Sequence, residues 1–71
     1  MQENELLSYT IEQVRLIKSY SGDDQAQHNI EDDMWREILF SIKMGDITDI
    51  EALRKIVEIA LDVPEFAHWC A

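Results

Sequence analysis

The chain has 71 residues and a formal net charge of −9 at pH 7, with 15 acidic residues against 6 basic ones. Its apolar fraction of 46% is that of a folded domain, and the length predicts one domain only. The charge argues against direct binding to nucleic acid or to anionic lipid, because both require basic side chains. A single cysteine, Cys70, excludes an internal disulfide. We expect a cytoplasmic protein, since neither a signal-peptide pattern nor a membrane-spanning apolar run is present.

The first predicted helix covers residues 4–20, where apolar residues recur every three or four positions. Thr10 and Gln13 also fit a capping box, so a start near Thr10 is an alternative. A polar loop is expected over residues 21–29. The predicted inward arc consists of Leu6, Leu7, Ile11, Val14 and Ile17.

The second predicted helix covers residues 30–44, with Asn29 as its N-cap. Three acids in its first turn would suit the helix dipole. Gly45 is expected in the left-handed conformation that often follows a helix. The acids are Glu31, Asp32 and Asp33, and the predicted inward face consists of Ile30, Met34, Trp35, Ile38, Leu39 and Ile42.

The third predicted helix covers residues 49–62, because Thr48 and Glu51 form a capping-box pattern before an apolar repeat. Its predicted stripe consists of Ile50, Leu53, Val57, Ala60 and Leu61. We expect Glu51 to pair with Lys55, and Arg54 with Glu58, on the solvent face. Pro64 ends this helix and fits the first position of a short fourth helix over residues 64–69. The predicted fold is therefore an all-α, single-domain, antiparallel three-helix bundle with a short C-terminal helix.

The predicted helices carry more apolar surface than one small bundle can bury. Tyr9, Leu16 and Tyr20 widen the arc of the first helix, and Phe40 with Met44 lies away from the stripe of the second. A domain of this size buries only about 60% of the surface that its unfolded chain exposes. These five residues are therefore predicted to bind a partner, either a second copy or another protein. The alternatives are cover by residues 66–69 and isolated exposure without a function.

Eight of the 15 acidic residues fall in two clusters, five within residues 21–33 and three within residues 46–51. The first interpretation of these clusters is that they cap helices and keep the protein soluble. Asp32, Asp33, Asp46 and Asp49 are the residues predicted to steer a basic partner protein. An alternative is a decoy that mimics nucleic-acid phosphates and inhibits a DNA- or RNA-binding protein.

Motifs for chemistry are weak. Glu65 and His68 have the spacing of a di-iron ligand pair, but such sites need two of these motifs and two further Glu residues. A zinc site from His28, His68 and Cys70 lacks the usual spacing, and His28 is expected to be a solvated loop residue. A helix-turn-helix around Gly45 is disfavoured, because its recognition helix would start with acids. We expect no enzyme activity and no cofactor, but a small acidic interaction protein, a regulator, inhibitor or accessory subunit, that forms a homodimer.

Overall fold

A computed structural model describes residues 1–63 of the chain. These residues form three helices, α1 (Glu3–Ser19), α2 (Asp24–Lys43) and α3 (Ile50–Leu61), and contain no strand. The prediction of an all-α three-helix fold is therefore confirmed for this part of the chain. The predicted fourth helix, residues 64–69, lies outside the described residues. Within residues 1–63, no helix has the length and apolar character needed to cross a membrane.

Helix α1 begins directly after Gln2, whose backbone N–H donates to the Glu5 carboxylate at 3.3 Å. The alternative start near Thr10 is wrong. Thr10 lies two turns into the helix and is fully buried, and its hydroxyl donates to the Leu6 carbonyl oxygen at 2.7 Å. That bond satisfies the hydroxyl locally, so Thr10 can lie in the apolar core without a distant partner.

Helix α2 begins at Asp24, six residues before the predicted start. Asp23 is the N-cap, because its carboxylate accepts a hydrogen bond from the Ala26 N–H at 3.1 Å. The polar segment predicted as a loop is therefore helical, and Asn29 is not a cap. The cluster of Glu31, Asp32 and Asp33 lies two turns inside the helix, where the dipole of the N-terminus does not explain it.

The buried residues in the extra turns of α2 are polar, which is why apolar periodicity did not reveal them. Gln27 is 2% exposed, and its side-chain amide donates to the Ile17 carbonyl oxygen at 2.9 Å. This bond joins the start of α2 to the end of α1. His28 is also buried, so its assignment as a solvated loop residue is wrong.

The turn between α2 and α3 follows the prediction at Gly45, which has φ of +76°. The N–H of Gly45 donates to the Ile42 carbonyl oxygen at 3.0 Å. The N–H of Asp46 donates to the Ser41 carbonyl oxygen, also at 3.0 Å. These two bonds form a Schellman motif, in which glycine avoids the strain that a side chain would bring.

The cap of α3 differs from the predicted one by a residue. Asp49 accepts a hydrogen bond from the Glu51 N–H at 3.0 Å and is the N-cap, so Thr48 does not cap this helix. The predicted Arg54–Glu58 pair is also replaced, because Arg54 donates to Glu51 at 3.3 Å.

Helix α1 is the centre of the bundle. It packs against both α2 and α3, whereas α2 and α3 barely contact each other. The Gln27 bond joins α1 and α2 at one end, and at the other the Met1 ammonium lies 3.2 Å from both the Ser41 hydroxyl and an Asp46 carboxylate oxygen. These two helices are therefore antiparallel. The apolar core consists of Leu6, Val14, Ile17, Met34, Ile38, Ile47, Ile56 and Ala60.

Several residues predicted to face inward are exposed, and all but Ile11 lie on α2 and α3, which barely contact each other. Each of these helices buries a strip against α1 only, and the apolar residues beside that strip remain in solvent. The predictions for these residues are wrong. They are Ile11 (51% exposed), Leu39 (62%), Ile42 (38%), Ile50 (64%) and Leu61 (66%).

Candidate protein-binding surfaces

One exposed apolar surface lies on α2 beside α1. Phe40 and Met44 are 49% and 58% exposed, and their spacing of four residues places them next to each other. Glu37 and Asp33 lie in the same row, one and two turns before Phe40. Tyr9 of α1 borders this row and packs against the core. We call these five residues the Phe40 surface.

The pKa of Tyr9 reflects its burial and its position near the acidic residues of this surface. Burial raises the pKa of the Tyr9 hydroxyl above its usual 10, and the neighbouring carboxylates of Glu37 and Asp33 raise it further. The phenol therefore stays protonated at neutral pH. The Phe40 surface thus has an acidic end with a phenol donor and an apolar end with an aromatic ring and a thioether.

Of the five residues predicted to bind a partner, Phe40 and Met44 lie together on α2, and Tyr9 lies near the acidic residues of the same row. Leu16 is half-buried and Tyr20 is 47% exposed. Tyr20 directly follows α1, eleven residues beyond Tyr9, which corresponds to about 16 Å along a helix. Tyr20 therefore lies at the opposite end of the bundle and does not join the Phe40 surface.

Two of the four predicted steering acids have local structural roles. Asp46 binds the Met1 ammonium at 3.2 Å, and Asp49 caps α3. Asp32 is exposed on α2, and Asp33 belongs to the Phe40 surface. Of these four acids, Asp33 shares a row of α2 with Phe40 and Met44, together with Glu37, which was not among the acids predicted to steer a partner. The spacing of Glu37 from Phe40 and Met44 was the signal that could have identified it.

A second exposed apolar surface lies on α3. Ile50, Leu53, Val57 and Leu61 follow one another along the helix and line an open groove of about 470 Å³, with Arg54 and Glu58 on its border. We call these six residues the α3 face. The sequence assigned its apolar residues to the core, because the periodicity of a core stripe and that of a binding face are the same. The fully buried residues of α3 are Ala60, as predicted, and Ile56, which the predicted stripe omitted.

Residues 1–63 contain no group of three or more His, Cys, Asp and Glu side chains that could hold a metal ion. The predicted candidates Glu65, His68 and Cys70 lie outside the described residues.

No family model matches the chain, and comparisons with curated proteins and with solved structures find no significant match. The two surfaces are therefore the basis for a functional proposal.

Proposed function

We propose that this protein is a small acidic interaction module, a regulator, inhibitor or accessory subunit, that binds another protein through the Phe40 surface. The observation that carries this proposal is the row of Asp33, Glu37, Phe40 and Met44 on one flank of α2, with Phe40 and Met44 about half exposed. Aromatic residues and Met are enriched in the buried centres of protein interfaces. A partner that fits this row has an apolar pocket beside a basic surface.

The apolar end would supply most of the affinity. Full burial of a side chain of this size contributes roughly 1.5–3 kcal/mol. The ring of Phe40 is the anchor, and Met44 beside it can adjust its rotamer to the shape of the pocket.

The acidic end would supply orientation and a fast association rate. Helix α2 has five acidic and two basic residues, a net charge of −3, and the whole chain has −9. This negative charge attracts a basic partner from a distance. Salt screens the attraction, and the screening length is about 10 Å at an ionic strength of 0.1 M.

Two observations favour this module over a nucleic-acid mimic. A mimic needs carboxylates spread along a free surface, whereas Asp46 and Asp49 are engaged in local structure. In addition, the acids of the Phe40 surface lie beside exposed apolar side chains, which phosphate mimicry does not require.

The proposal is tested with the full chain as bait in extracts of the cells that produce it. The variant is Phe40→Asp, and the control is Ile11→Asp, an equally exposed position on α1. We expect a basic protein that wild type and control retain and that the variant does not. The purified pair should then bind at least about tenfold more weakly with Phe40→Asp, and more weakly in high salt.

Two results would contradict the proposal. The first is that no protein distinguishes the variant from the control. The second is a complex that DNA or RNA displaces and that Phe40→Asp leaves unchanged, which would support the nucleic-acid mimic.

A further inference from the structure

The α3 face is a second apolar surface, which the proposed function leaves open. Helix α3 packs against α1 along Ile56 and Ala60 and has almost no contact with α2. Within residues 1–63 its far side is therefore uncovered, with Ile50 and Leu61 about two-thirds exposed at the two ends. Leu53 and Val57 are half-buried between them.

The charge of α3 sets this face apart from the rest of the protein. Helix α3 has two acidic and two basic residues and is electrically neutral, whereas α1 has a net charge of −1 and α2 of −3. Two molecules that each carry −9 repel each other. The six residues of the α3 face have no net charge, because Arg54 and Glu58 balance, so a second copy meets less repulsion there than at the Phe40 surface with Asp33 and Glu37.

The arrangement of residues on the α3 face is also self-complementary. If two α3 helices pack antiparallel about a two-fold axis between positions 55 and 56, each contact occurs twice with the roles exchanged. Ile50 then lies at the level of Leu61 of the second copy. Leu53 lies within one residue, about 1.5 Å along the axis, of the level of its Val57, and Arg54 lies within the same distance of the level of its Glu58. Both charged residues of the groove therefore meet an opposite charge.

A parallel two-fold arrangement has the reverse effect. It would place each residue opposite its own copy, with Arg54 facing Arg54 and Glu58 facing Glu58. The bond of Arg54 to Glu51 does not prevent the antiparallel pair, because both side chains are about three-quarters exposed and such surface pairs contribute little.

We infer that the α3 face is a homodimer interface, in which the α3 helices of two copies pack antiparallel and Arg54 of each lies opposite Glu58 of the other. Stable interfaces bury about 800 Å² on each partner, roughly a sixth of the 4920 Å² surface of this chain. A single helix of 12 residues is about 18 Å long and offers less than that. The expected dimer is therefore weak, with a dissociation constant of about 10–100 μM.

The first test measures the mass of the full chain by sedimentation equilibrium from about 5 μM to 1 mM. We expect the wild type to dimerise over this range, and Leu61→Asp to raise the dissociation constant at least tenfold. Leu61 is 66% exposed, so this substitution leaves the core intact, which far-UV circular dichroism checks. The matched control is Phe40→Asp, which should dimerise like the wild type. A wild type that is monomeric at 1 mM overturns the inference and leaves the face to residues 64–71 or to a different protein.

The second test examines the register by exchanging charges. Arg54→Glu and Glu58→Arg should each weaken self-association at least tenfold, because each places two like-charged pairs in the interface. An equimolar mixture of the two variants should form a heterodimer with both opposite-charge pairs restored. Wild-type dimers that neither variant weakens, or variants that do not associate when mixed, overturn the antiparallel arrangement.

The two proposals fail independently. Loss of the partner protein with Phe40→Asp concerns the Phe40 surface, whereas loss of the dimer with Leu61→Asp concerns the α3 face. A protein that dimerises and captures no partner would contradict the proposed function alone.

Discussion

The α1–α2 pair and helix α3 are held in the bundle in different ways. The pair buries polar groups as well as apolar ones, and Thr10 and Gln27 hydrogen-bond to backbone carbonyl oxygens within it. The fully buried residues of α3 are Ile56 and Ala60, both apolar. Yet α3, the more apolar of the helices, leaves both ends of its apolar stripe in solvent. The comparison shows that apolar content does not by itself decide burial, because α2 buries five residues, three of them polar, whereas α3 buries two.

This difference has an energetic side. The hydrogen bond from Gln27 to the Ile17 carbonyl oxygen fixes the register of α1 against α2, because sliding either helix would leave the buried amide without this partner. Helix α3 is positioned by apolar contacts and by the ion pair between Lys18 and Asp62 at 3.6 Å, in which both side chains are at least half exposed. Such a pair contributes at most about 1 kcal/mol. Helix α3 is therefore the element whose environment a second molecule can most readily complete.

The largest expected effect distinguishes two neighbouring residues of α2. Ile38→Ala should lower the free energy of unfolding by about 3 kcal/mol, because Ile38 is 1% exposed and its loss leaves a cavity between α1 and α2. Leu39→Ala should change it by less than about 0.5 kcal/mol, since Leu39 is 62% exposed. Urea denaturation measures both values. Equal losses would mean that Leu39 is buried, as the sequence alone predicts.

An effect of intermediate size tests where helix α2 begins. Asp23→Ala should destabilise the protein by about 1 kcal/mol, because it removes the carboxylate that caps α2. Asn29→Ala is the control and should change stability by only a few tenths of a kcal/mol, since Asn29 is exposed inside the helix. The reverse order in urea denaturation would place the start of α2 at residue 30.

The smallest expected effect concerns the stability of the α1–α2 pair at alkaline pH. The raised pKa of Tyr9 means that the unfolded chain loses the phenolic proton at a lower pH than the folded protein. The contribution of Tyr9 to stability is therefore complete below pH 10 and decreases as the pH rises through the folded-state pKa. Tyr9→Phe should reduce the loss of stability between pH 9 and pH 11, as measured by urea denaturation. Identical pH profiles for the two proteins would contradict this prediction.

The helices were predictable where local chemistry defines them. The apolar repeat of α1, the left-handed Gly45 and the start of α3 near Asp49 depend on residues close together in sequence. The first turns of α2 were missed, because Gln27 and His28 are polar residues that the fold buries. A carbonyl oxygen ten residues away makes the burial of Gln27 favourable, and no local pattern contains that information.

One of the two exposed apolar surfaces could be predicted from the sequence, and the other could not. The spacing of Phe40 and Met44 indicated that they lie together away from the inward stripe of α2, and the structure leaves both of them about half exposed. The α3 face could not be predicted, because Ile50, Leu53, Val57 and Leu61 would follow the same periodicity whether they packed inside or outside.

The sequence by itself therefore determined that residues 1–63 form three helices and that the chain has an excess of apolar and acidic residues, since helix formation, capping and net charge are local or additive properties. Only the tertiary structure decided which part of that surface is buried. The physical reason is that α2 and α3 both pack on α1 and hardly on each other, and which helices become neighbours depends on contacts between residues far apart in the chain.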